Sequence, residues 1–121
     1  MAWQFNSRDP VFIQIANRLR GDILGGKYPE EGQIPSVRQI AGEASVNPNT
    51  VQRALAMLEG EGLLYSKGTV GRFVTSDRAI LDAAREKTKR ETVRAMLSDA
   101  YLVGITAQEL IKYIKEEAAK E

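Results

Sequence analysis

The sequence contains no cysteine and no histidine. Without cysteine there are no disulfides, thiolate nucleophiles, thiolate metal sites or thiol redox switches. Without histidine there is no imidazole general base, no Ser-His triad and no histidine-ligated metal. Carboxylate chemistry passes this filter, but the adjacent acids Glu30-Glu31 and Glu116-Glu117 point apart on a loop or helix and read as solvated. With no convergent acid pair, no catalytic residue, metal or cofactor is expected, and the chain is not read as an enzyme. Long apolar runs are missing too: none approaches the roughly 20 residues of a membrane-spanning helix. No basic start followed by an apolar core and a small-residue cleavage site is present, so the expected location is cytoplasmic. Nor is there an excess of one charge, with 17 Lys and Arg against 16 Asp and Glu. Split at Ser76, both parts stay near neutrality, so a nucleic-acid partner has to be read from single elements.

What is present suits one small domain with an attached element: 121 residues, 43% of them hydrophobic. Asp9-Pro10 reads as a cap and first turn, followed at helical spacing by Phe12, Ile13, Ala16, Leu19 and Ile23. Gly25-Gly26 ends that helix, and Lys27 to Pro35 reads as a loop. Ser36-Val37-Arg38-Gln39 has the capping-box form and opens a short helix to about Ala44, burying Val37, Ile40, Ala41 and Ala44. After the turn Ser45 to Asn47, Asn47-Pro48 starts a third helix to about Glu59, with Val51, Ala54, Leu55 and Leu58 as its inner stripe.

The period then changes. Leu63-Leu64-Tyr65 and Arg72-Phe73-Val74-Thr75 are short β-type runs around a glycine-containing loop, which predicts a hairpin leaning on the helices. From Asp77 the composition turns helical until Gly104, with an interrupted stripe of Ile80, Ala84, Val93, Met96, Leu97 and Ala100. The charges from Arg85 to Arg94 mix both signs and read as a salt-bridged face. Thr106-Ala107-Gln108-Glu109 is a second capping box, opening a last helix lined by Leu110, Ile111, Ile114 and Ala118. The prediction is a mainly α fold with a small β-hairpin. It comprises a winged helix-turn-helix over residues 1–76 and a two-helix segment over residues 77–121.

The third helix carries the functional argument. Asn47, Asn49, Thr50, Gln52 and Arg53 lie opposite its apolar stripe, and no acid occurs between Ala44 and Leu58. Amides read adenine edges, arginine reads guanine, and hydroxyls serve phosphates or bases, whereas carboxylates would repel phosphates. Asn47 is read first as the helix cap and only then as a base reader. Ser36 and Arg38 stand beside the recognition helix, at a helix N-terminus that favours anions. The hairpin from Leu63 to Ser76 carries Lys67 and Arg72 and no acid. Gly68-Thr69-Val70-Gly71 is not a phosphate loop, since it lacks the Lys-Ser/Thr ending and a following helix. A polar outer face alone would be ordinary; the short helix, tight turn and hairpin around it favour double-stranded DNA. The alternative, a winged-helix protein-interaction module, would call for carboxylates or large apolar residues on that face, and there are none.

The run Pro35-Ser36-Val37-Arg38-Gln39-Ile40-Ala41, then Val46-Asn47-Pro48-Asn49-Thr50-Val51-Gln52-Arg53-Ala54-Leu55, then Glu61-Gly62-Leu63 resembles the GntR family of bacterial transcription regulators. The Asn-Pro-Asn-Thr-Val-Gln-Arg-Ala wording and the short tail resemble its YtrA subfamily. This resemblance implies a winged domain that binds operator DNA and a C-terminal helix pair that forms a homodimer. It further implies a repressor, often of an ABC-transporter operon. It places DNA contacts on Arg38, on Asn47, Pro48, Asn49, Thr50, Gln52 and Arg53, and on the wing near Gly68 to Gly71. Many relatives carry Arg where Pro48 and Gln52 stand, so their base preferences do not transfer. The usual wing reads Gly-x-Gly-Thr-Phe-Val; here Thr69 replaces the first glycine and Arg72 the threonine.

Dimerisation also follows from the residues. The tail is too short for a core of its own, yet carries Ile80, Met96, Leu97, Leu110, Ile111, Tyr113 and Ile114, which must pack on the winged part or on a partner. A two-fold dimer would set two recognition helices on a palindromic operator. An effector is not legible in the sequence.

Overall fold

A computed structural model describes residues 3–121 and shows five helices and one antiparallel hairpin. The elements are α1 (Val11–Leu24), α2 (Val37–Ala44), α3 (Pro48–Gly60), β1 (Leu64–Lys67), β2 (Gly71–Val74), α4 (Arg78–Leu102) and α5 (Ala107–Ala118). This is the expected mainly α winged helix-turn-helix. One compact unit ends at Asp82 and a second runs over Ala83–Glu121. The division lies beyond Ser76 because the first turn of α4 belongs to the winged unit: Leu81 is buried, and Ile80 lies against Gly62.

Local chemistry explains the helix ends. Ser36 Oγ accepts from the Gln39 N–H while Gln39 Oε1 accepts from the Ser36 N–H, closing the expected box at α2. Asn47 Oδ1 accepts from the Asn49 N–H at 2.8 Å with Pro48 in the first turn, so Asn47 is the cap of α3. Thr106 and Glu109 close the same box on α5. At the end of α3, Gly62 takes a φ of 82° while the Leu63 N–H bonds to the Leu58 carbonyl at 3.1 Å. The turn between α2 and α3 reverses on Ser45, a non-glycine residue at φ 57°. Two expectations need correction at α1. Asp9 does not cap it: Pro10 holds the cap position, and Gln14 pins the preceding chain by donating to the carbonyls of Asn6 and Asp9. The buried stripe is Ile15, Ala16, Leu19 and Ile23, with Phe12 and Ile13 only half-buried.

In the winged unit, α3 is the central element, packed by α1, α2 and β1. Val51, Ala54, Leu55 and Leu58 supply its buried face as the spacing predicts. They meet Ile15 and Leu19 of α1, Ile40 and Ala44 of α2, and Leu63, Leu64 and Val74 from the hairpin in one core. A bidentate ion pair from Arg20 to Glu61, with its shorter contact at 2.5 Å, fastens α1 to the end of α3.

The hairpin pairs Leu64 with Val74 through Lys67 with Gly71. Its second strand has a further partner in the segment expected as plain loop. The Glu31 N–H donates to the Val74 carbonyl, the Val74 N–H to the Gly32 carbonyl and the Ile34 N–H to the Arg72 carbonyl. Gln33 forms a bridge to Phe73. A stretch this short between two prolines has no period to announce a strand. Glu31 is exposed as expected and accepts from the Tyr65 hydroxyl, while the half-buried Glu30 pairs with Arg78 at 2.6 Å.

In the second unit, α4 ends in a turn through Gly104, and α5 has no buried residue. The i,i+4 pairs Lys87–Glu91 and Arg90–Glu86 make the salt-bridged face expected for this stretch. Ala100 is buried, whereas Val93, Met96, Tyr101, Ile111, Tyr113 and Ile114 are exposed. Among the described residues no helix is long and apolar enough to cross a membrane.

Candidate nucleic-acid interface

The recognition face is built by the packing of α3. Burying Val51, Ala54, Leu55 and Leu58 turns Asn49, Gln52 and Arg53 outward, and all three are exposed. Pro48 and Asn47 are exposed at the tip, and Thr50 is half-buried beside them. Asn47 Oδ1 is committed to the cap, which leaves its amino group as the outward part of that side chain. The turn through Ser45 brings α2 alongside, with Ser36 and Arg38 exposed at its start. Ser36 Oγ already accepts the capping bond, so its own O–H is what remains to donate.

Arg53 is not a freely moving cation. Its guanidinium carbon sits 3.9 Å from the centroid of the Phe12 ring, so α1 supplies a platform for it. The helical spacing groups Phe12 with the apolar residues of α1; its ring is half-exposed and lies under Arg53.

The wing is held at its tip and at its base. Gln33 Nε2 donates to the carbonyl of Val70, the last residue of the turn, at 2.8 Å. A Cβ at Gly71, where φ is 142°, would stand 2.6 Å from that same Nε2. The glycine is thus required by this close approach as well as by its backbone angle. At the base, Arg72 Nε donates to Glu59 Oε1 at 2.5 Å, and Arg72 Nη2 donates to Gln52 Oε1 at 2.9 Å. Ser66 Oγ, cross-strand from Arg72, donates to the same Glu59 oxygen at 2.8 Å. Two expected DNA contacts, Gln52 and Arg72, are therefore joined to each other. Lys67 and Gly68 lie exposed nearer the tip with Thr69, and the Lys67 ammonium rests 5.2 Å from the Phe73 ring centroid.

These bonds shape the electrostatics. Burial pushes the Glu59 carboxyl up, but the bonds from Arg72 and Ser66 and the Arg72 charge outweigh it and hold Glu59 below the usual carboxylate range. The acid closest to the recognition face is thereby neutralised by Arg72. On the other side of the hairpin, the hydroxyl bonds from Tyr65 and then Ser76 lower Glu31, and the bond to Glu31 raises Tyr65. Among the described residues, Arg38, Arg53 and Lys67 take part in no ion pair.

Sequence reasoning missed Phe12, Glu59 and Gln33 as parts of the site. Glu59 alone left a signal, standing seven residues after Gln52 and so two turns along the same face of α3. The expected tail residues Met96, Ile111, Tyr113 and Ile114 lie exposed in the second unit, with Leu97 and Leu110 half-buried there. Ile80 is apart from them, against Gly62 in the winged unit.

Comparison with known proteins agrees with this geometry. The GntR family of bacterial regulatory proteins matches residues 13–74. The HTH-type transcriptional regulator YhcF of Bacillus subtilis is 30% identical over 112 residues, which is 93% of each chain. The HTH-type transcriptional repressor YtrA of the same organism is 28% identical, covering 93% of this chain and 88% of its own. Among solved structures, a GntR family transcriptional regulator from Listeria monocytogenes superposes with a TM-score of 0.82 at 27% identity, over 93% of this chain and 98% of that one. AraR(DBD) in complex with operator ORE1 matches 62% of this chain and 93% of its own, with a TM-score of 0.55 at 25% identity.

Proposed function

Since the chain belongs to the GntR family of bacterial regulatory proteins and is a DNA-binding transcription regulator, we propose that it acts as a homodimeric repressor of the YtrA subfamily. In this reading the winged part, residues 1–76, carries the DNA contacts, and the segment 77–121 carries the dimer. The target is a palindromic operator in the cytoplasm, controlling an ABC-transporter operon. The repressor assignment draws on the likeness to YtrA, whose length this chain nearly spans.

The observation that carries the DNA-binding surface is the outer face of α3, which bears no acid before Glu59, framed by Arg38 and Lys67. Asn49, Gln52 and Arg53 face base edges, while Asn47, Pro48 and Thr50 lie at the helix start. Ser36, Arg38, Lys67, Gly68, Thr69 and Arg72 approach the backbone or the groove edge. AraR(DBD), a structure of the same fold, is bound to an operator. The dimer is supported by the apolar side chains that α4 and α5 leave exposed, Met96, Ile111, Tyr113 and Ile114. Leu97, Leu110 and Ile80 complete the proposed contact set.

Footprinting on a site selected from random DNA tests the reading. The expected result is two protected half-sites related by two-fold symmetry, with centres about 10 base pairs or a multiple apart. A single asymmetric half-site bound by a monomer would overturn the dimeric arrangement.

A further inference from the structure

We propose that Arg72 and Glu59 are positioning residues that set the base preference of Gln52, converting its amide into a donor aimed at guanine. The inference rests on the reading that α3 enters the major groove. A guanidinium has N–H donors and no acceptor. The amide atom lying 2.9 Å from Arg72 Nη2 is therefore the Gln52 oxygen, because the flipped amide would set donor against donor. The orientation of Arg72 is imposed from behind. Glu59 Oε1 accepts from its Nε at 2.5 Å and also from Oγ of Ser66, its cross-strand partner, at 2.8 Å. Gln52 and Glu59 are both reached by one guanidinium because they sit two turns apart on one face of α3.

An unrestrained glutamine reads adenine bidentately, accepting from N6 and donating to N7. With Oε1 held toward the wing by a charge-assisted bond, the Gln52 amino group is the part assigned to the base. Two N–H donors match guanine, whose N7 and O6 are both acceptors. Opposite adenine only N7 could accept, and the N6 amino group would confront the Gln52 amino group as donor against donor. The wing thus acts on sequence choice through a side chain of the recognition helix. Substituting Arg72 should then change which base is chosen, an effect that loss of a phosphate contact would not produce.

The test is selection of binding sites from a random duplex pool with the full-length chain and its Gln52→Ala, Arg72→Met, Glu59→Gln and Glu59→Ala variants. The position whose preference vanishes in Gln52→Ala should be a G·C pair in the wild type, favoured over A·T by roughly tenfold. Replacing that guanine by 7-deazaguanine should weaken the wild type and leave Gln52→Ala unaffected. Arg72→Met should shift the position toward A·T. Glu59→Gln keeps an acceptor for Arg72 and should retain guanine, whereas Glu59→Ala should lose the preference. An A·T pair at the Gln52-dependent position of the wild type would overturn the inference. So would an Arg72→Met variant that binds all sequences equally more weakly without changing the base chosen, or an enriched site with no Gln52-dependent position. If the wild type enriches no site at all, the failure lies with sequence-specific DNA binding itself.

Discussion

Arg53 of the recognition helix lies over the ring of Phe12 on α1, 3.9 Å from the ring centroid. This contact restrains the cation proposed to read a base, so part of its ordering cost would be met before DNA arrives. Phe12→Leu should therefore weaken operator binding by about 0.5–1 kcal/mol without changing the preferred sequence. Arg53→Ala should cost roughly 1–3 kcal/mol and relax discrimination at one position of each half-site. Fluorescence anisotropy on the selected operator and its single-base variants separates the two outcomes.

Arg38 and Lys67 frame the face as exposed cations that take part in no ion pair among the described residues. Arg38→Ala and Lys67→Ala should each weaken binding to operator and to unrelated duplex alike. Each should also reduce the slope of log affinity against log salt by about one unit per half-site. A loss confined to the operator would reassign that residue to base reading.

The hairpin should report pH through two pairs. Glu59 and Glu31 are held below the ordinary carboxylate range in the fold. Their contribution to stability is therefore present above the unfolded carboxylate pKa and is lost as pH falls through the lower folded value. Tyr65 is raised by its bond to Glu31, so its contribution is present below its ordinary pKa and disappears as pH rises through the folded value. Urea midpoints measured across pH should fall on the acid side less steeply in Glu59→Gln than in the wild type. Tyr65→Phe should remove the alkaline fall.

The helix α5 has no buried residue, and Ile111 and Ile114 are exposed on it. Ile111→Asp combined with Ile114→Asp should convert the proposed dimer to monomer in sedimentation velocity. The winged unit should stay folded, because neither residue contributes to its core. Operator affinity should drop by far more than non-specific affinity, since the two half-sites would no longer be linked.

The parts of this fold legible in the sequence are those written by neighbours in the chain. The boxes at Ser36 and Thr106, the Asn47 cap and the buried stripe of α3 each need only groups two to four residues apart. Even such signals compete locally: Asp9 looked like the cap of α1, but Pro10 occupies that position and Gln14 ties down the chain before it. What stayed hidden joins distant segments. The bonds from Glu31, Gly32 and Ile34 to β2, the Phe12 platform and the Arg72 link from wing to α3 have no period or spacing that encodes them. Arg72 shows the consequence for function: as a bare cation in a hairpin it reads as a phosphate contact, and only its partners show that it grips the recognition helix.

Sequence-specific reading of duplex DNA by the outer face of α3 is tested most directly by one ratio, the affinity for the selected operator over that for a scrambled duplex at physiological salt. The ratio should be about a thousandfold or more for the intact dimer and should collapse in the combined Gln52→Ala, Arg53→Ala variant. A wild-type ratio near one, or one that survives the loss of both side chains, would contradict it.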